Sequence, residues 1–233
     1  MINVLCIGNS FSRNSSRYLH SISPDITVVN LYIGGCPLDR HFRNMHSGER
    51  AYALQVNGVD TGFYVSLDEA LLNRPWDFIS FQQASPFSTK YESYEPYLTE
   101  LSDYVKALCP NAKQIIHETW AYENESDKLI NLMCYKTHGE MYADIHKAYE
   151  KAAKSINADL VIPSGKLFSV LVENGFKVHL DTFHANRLGE CALGLLWCKC
   201  LTGKSASDNP YSDFGEGVSD EDIAKIKKIT DTL

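Results

Sequence analysis

No stretch of this chain is apolar over the roughly 20 consecutive residues that a membrane-spanning helix needs, and Lys and Arg form no basic run. The first absence argues against a spanning helix. The second, with a formal net charge of −7, argues against nucleic acid and an anionic membrane surface as partners, because phosphate binding needs clustered cations. There is also no CxxC pair, and no His pair at zinc spacing with a carboxylate partner. Neither a metal nor a cofactor is therefore expected. The cysteines are odd in number, namely Cys6, Cys36, Cys109, Cys134, Cys191, Cys198 and Cys200. Unpaired thiols fit a reducing compartment. A basic leader is missing too: Met1 runs straight into Ile2-Asn3-Val4-Leu5-Cys6-Ile7-Gly8, which reads as a buried strand. A cytoplasmic location is the expectation.

What is present is an ordinary globular balance, 44% hydrophobic and 22% charged over 233 residues. That suffices for one α/β domain spanning 1–233. Short apolar runs at 2–7, 27–33, 77–82, 113–118 and 159–163 read as strands covered on both faces. Helical patterns fall at 14–22, 37–47, 92–109, 136–156, 165–174, 186–201 and 219–231. Alternation of the two implies a parallel sheet between helical layers, with all strand C-termini along one edge. Residues 51–66 break the rhythm: Asn57-Gly58 signals a hairpin. Ser66-Leu67-Asp68-Glu69 reads as a capping box opening a short helix. The segment 203–218 is turn-rich.

Four features could carry chemistry. Gly8-Asn9-Ser10 joins the first strand to a helix, where a side chain meets the N–H groups of a helix start. A Ser there also suits plain helix capping. Asp181-Thr182-Phe183-His184 places an acid and a base three apart, so that a carboxylate can fix the imidazole tautomer. Gly34-Gly35 follows the second strand and Gln82-Gln83 closes the third; both could supply oxyanion donors. Each alone is weak. The ordered set Ser, Gly, amide and Asp-x-x-His, at the ends of three successive strands and in the last loop, is not.

The pattern resembles the SGNH (GDSL-like) hydrolase superfamily, whose four blocks carry Ser, Gly, Asn and His. It is most similar to the DUF4886-type branch, through Ile7-Gly8-Asn9-Ser10-Phe11-Ser12, Tyr32-Ile33-Gly34-Gly35-Cys36, Phe81-Gln82-Gln83-Ala84-Ser85, Thr119-Trp120-Ala121-Tyr122 and Leu201-Thr202-Gly203. Two departures stand out. Gln82-Gln83 replaces the usual Gly-x-Asn-Asp, and Ala185-Asn186 follows His184 where Pro is frequent.

The resemblance implies a flavodoxin-like α/β/α sandwich of about five parallel strands with a small hairpin insertion. It implies an esterase with Ser10 as nucleophile, His184 as base and Asp181 as its orienting acid. The oxyanion hole would comprise the N–H groups of Ser10 and Gly35 and the Gln83 amide, with Gly34 and Gln82 as alternatives. Asn9, Phe11, Trp120 and Tyr122 would contact substrate. An O-acetylated carbohydrate is the first substrate choice, with a thioester or lysophospholipid next. A phosphate-ligand or carbohydrate-binding module without catalysis is the alternative outside enzymes. His117 reads as a core or pocket residue, and His41, His46, His138 and His146 as solvated helix residues.

Overall fold

The computed structural model describes residues 1–233. Five strands run parallel: β1 (Ile2–Gly8), β2 (Ile26–Tyr32), β5 (Phe78–Phe81), β6 (Lys113–Glu118) and β7 (Leu160–Pro163). Val4 to Gly8 are buried without interruption, as a central strand requires. The hairpin β3 (Tyr52–Val56) and β4 (Val59–Val65) is not a separate appendage. It pairs antiparallel with β2 and extends one sheet to the order β4-β3-β2-β1-β5-β6-β7. Asn57 (φ 52°) and Gly58 (φ 79°) make its turn, a conformation that favours Asn-Gly. A side chain at 58 would also strike the Arg17 carbonyl, 2.5 Å from the Cβ position.

Two apolar layers sandwich the sheet. On one face lie α3 (Leu38–Ser47), α4 (Leu67–Leu71), α5 (Tyr97–Leu108) and α6 (His138–Ser155). On the other lie α1 (Ser10–Ser16), α2 (Leu19–Ile22), α7 (Ser164–Glu173), α8 (Arg187–Thr202) and α9 (Asp220–Asp231). The capping box at Ser66 and Glu69 forms as its spacing suggests. No helix is long and apolar enough to cross a membrane.

Two helices differ from their expected extents. The pattern over 92–109 is a short turn at Tyr91–Ser93 and then α5, which starts only at Tyr97. The pattern over 14–22 is two short helices, and the first begins at Ser10. The cause is Asn9, whose side-chain oxygen accepts from the Phe11 N–H at 3.0 Å and starts the helix at once. Ser-rich sequence with weak helix propensity then ends it after two turns.

Register brings the strand ends level. Gly8 pairs with Tyr32, Ile7 with Phe81 and Glu118 with Pro163. The chain leaves β1 between β2 and β5, where the direction of winding reverses. Ligands bind at such a switch point in open α/β sheets.

Candidate active site

A cavity of about 340 Å³ opens at this edge. Its walls include Ser10, Phe11, Gly34, Gly35, Tyr122 and His184. Ser10 is the first residue of α1, so its N–H has no partner inside the helix. The cap is Asn9, which frees Ser10 from that role. Asn9 is a buried hub: its amide nitrogen donates to the Cys36 carbonyl at 3.1 Å and its oxygen accepts from Gln82 Nε2 at 2.6 Å. The loops after β1, β2 and β5 are thereby tied together under Ser10. Gly35 adopts φ 61°, and nothing lies within 4 Å of its Cβ position, so substrate can approach its backbone.

Asp181 does two things at once. Its Oδ1 accepts the N–H groups of His184 (2.9 Å) and Phe183 (3.3 Å), and its Oδ2 meets His184 Nδ1 at 2.8 Å. Partial burial pushes the Asp181 carboxyl up. The bonds from the His184 side chain and from the His184 and Phe183 N–H groups, with the imidazole's charge, outweigh it and leave the acid below its usual range. The carboxylate stays ionised against Nδ1, so Nε2 is the nitrogen left for chemistry. Thr182, between them, is held at φ 88°, a strained value for a β-branched residue. No hydrogen bond joins Ser10 Oγ to His184 Nε2 in this structure; the two residues share the cavity wall.

Several expectations are corrected here. Gln83 does not line the cavity. Its oxygen accepts from the Leu38 and Ala84 N–H groups and its nitrogen donates to the Ser93 carbonyl, so the amide is consumed in bracing loops. Gln82 is likewise spent, donating to Asn9 and accepting from His117 Nδ1 at 2.7 Å. The wall past β5 presents the Ser85 hydroxyl instead, 2.9 Å from the Tyr122 hydroxyl. Trp120 is fully buried, stacked between Phe11 (4.2 Å) and Phe168 (4.5 Å), and supports the floor rather than touching substrate. His41 and His138 are buried, not solvated. The Phe11 N–H that a phosphate at this helix start would use is already taken by Asn9, which disfavours the phosphate-binding alternative.

His117 is a core residue. Its Nδ1 donates to Gln82 and its Nε2 lies 3.1 Å from Ser164 Oγ, and burial holds it neutral with a pKa lowered to about 3. Gln82→Met would leave the His117 N–H and one Asn9 lone pair without partners. Such groups cost about 1–3 kcal/mol each. A urea midpoint lowered to match is the expected result, and an unchanged midpoint would remove Gln82 from this framework.

Sequence reasoning overlooked Tyr32, Ser85, Pro86, Lys128, Leu132 and Phe183, all on the cavity wall. Phe183 could have been found, because it adjoins His184. The others had no chemical partner in the linear pattern.

The family model for a domain of unknown function, DUF4886, matches residues 3–229. A crystal structure of a DUF4886 family protein from Bacteroides uniformis is 30% identical, covering 99% of this chain and 93% of its own, with a TM-score of 0.89. This chain belongs to the DUF4886 family. The DUF4886 fold is shared more distantly with a protein from Slackia heliotrinireducens named for the SGNH hydrolases (23% identity, 86% of this chain and 98% of that one, TM-score 0.64). It is shared too with one from Parabacteroides merdae named for GDSL-like lipases (14%, 87% and 96%, TM-score 0.61). No curated protein matches the chain.

Proposed function

We propose that this DUF4886 protein is a serine ester hydrolase that removes O-acetyl groups from a carbohydrate. The observation that carries the reading is the Asp181–His184 pair on the wall of the cavity that holds Ser10 at a helix start. Ser10 Oγ attacks the ester carbonyl while His184 Nε2 takes its proton. Collapse of the tetrahedral intermediate breaks the bond to the alcohol, which leaves with that proton. Water then attacks the acyl-Ser10 ester, giving its proton to His184; the acyl bond to Ser10 Oγ breaks, Oγ takes that proton back, and acetate is released. Asp181 fixes the imidazole and stabilises its cation. The N–H groups of Ser10 and Gly35 receive the developing oxyanion. The Ser85 hydroxyl, held by Tyr122, is the third donor in place of a Gln amide.

A cavity of about 340 Å³ is at the small end for ligand sites. It suits a short acyl group beside one sugar ring, with Phe11, Tyr32 and Tyr122 as apolar surfaces. It does not suit the long chain of a lysophospholipid. A fluorophosphonate probe should add once to the intact protein, and peptide mapping should find the adduct on Ser10. 4-Nitrophenyl acetate should be cleaved at least tenfold faster than the octanoate. Failure to label, or an adduct elsewhere, rejects the nucleophile; a flat chain-length profile rejects the acetyl preference.

A further inference from the structure

The cavity wall carries one cation and no carboxylate. Lys128 lies there with Leu132, both on a wide π-helical turn over Lys128–Leu132 that is anchored by the fully buried Leu129. The Lys128 ammonium sits 3.7 Å from the centre of the Phe183 ring, and that ring's centre is 4.0 Å from the His184 ring's. Lys128 joins none of the chain's ion pairs. Asp181, which does not line the cavity, is turned to His184 Nδ1. Lys128 is exposed, as are Lys113 and Lys151 over their rings, but the ring beneath Lys128 is the one that adjoins His184. A cation–π contact of this kind holds an ammonium in place without neutralising it.

We propose that Lys128 is a specificity residue that selects esters whose alcohol part carries an anionic group, a carboxylate or sulfate, so that the preferred substrate is an acylated acidic sugar. The proposal rests on the esterase reading above. The acyl side must stay small to reach the oxyanion donors, which leaves the alcohol part to meet the outer wall. The chain's net charge of −7 repels anions in general, so a lone cation at the site stands out as a local exception.

The test compares kcat/KM for 4-acetoxybenzoate with that for 4-acetoxybenzamide, its neutral isostere. Taking the ratio within each protein, then across variants, cancels the difference in leaving group. An exposed ion pair is worth up to about fivefold in rate. The ratio should fall about fivefold in Lys128→Met, fall further in Lys128→Glu, and persist in Lys128→Arg. Equal ratios in all four proteins would overturn the proposal. A wild type that cleaves neither ester brings down the esterase reading instead. In that case NMR titration with 4-hydroxybenzoate still decides the recognition step: binding should weaken about fivefold in Lys128→Met, and unchanged binding rejects it.

Discussion

Ser10→Ala is expected to lower kcat/KM for 4-nitrophenyl acetate by about 10⁴- to 10⁶-fold, and His184→Ala by a similar factor. The double variant should be no worse than either single one. The two groups act as one unit: without the base the hydroxyl is a poor nucleophile, and without the hydroxyl the base has no proton to take. Residual hydrolysis would come from the oxyanion donors, which both variants keep. Neither change should disturb the fold. Ser10 is only half-buried and caps nothing, since Asn9 starts the helix. His184 is tied chiefly to Asp181. Matching urea midpoints and initial rates for the three variants and wild type check this. Full activity in Ser10→Ala would end the serine mechanism, and multiplicative losses in the double variant would show that the residues act independently.

The second large effect is on stability. Lowering the pH from 7 to 5 should destabilise the fold by several kcal/mol, a large share of a domain's stability. Burial lowers the pKa of His41 and His117 to about 3 and of His138 to about 4. In the unfolded chain each titrates near 6.5. Between those values the unfolded state binds protons that the folded state refuses, so stability drops as pH falls below about 6.5. At pH 5 that is about 2 kcal/mol per histidine. Burial also raises Glu118 and Glu190. These act in the opposite sense, their folded forms holding protons longer, and soften the loss. Urea midpoints at pH 7, 6 and 5 should fall steeply, and a flat series would show that these imidazoles reach water.

Much of this was legible in the linear chain because it is local. Apolar runs flanked by turns located all five parallel strands within one or two residues. Asn57-Gly58 announced its turn and Ser66-x-x-Glu69 its cap. Asp181 and His184 could be paired because three residues is a span that one turn closes. What failed was anything decided by a distant partner. Gln82 and Gln83 sat at the right edge, but their amides are claimed by Asn9, His117 and Ser93. Trp120 became floor because Phe11 and Phe168 stack on it. His41 looked solvated on a helical pattern, yet it is buried within hydrogen-bond distance of Tyr52. The hairpin, too, revealed its place only in three dimensions. Ser12, Asn30, Gln55 and Asp60 link it back to α1 by successive hydrogen bonds of 2.6–2.7 Å.

Thr182 ties these scales together. Its φ of 88° is foreign to a free threonine, and its hydroxyl is buried without a partner. The loop is held in that shape from outside, by the Glu123 N–H on the Thr182 carbonyl and the Trp120 indole on the Phe183 carbonyl. Four consecutive residues therefore carry the acid and the base but cannot arm themselves. A half-collapsed chain would hold Asp181 and His184 without the two outside hydrogen bonds that shape their loop. On the esterase reading, the acid–base pair takes its working geometry only once the core that carries Glu123 and Trp120 is complete.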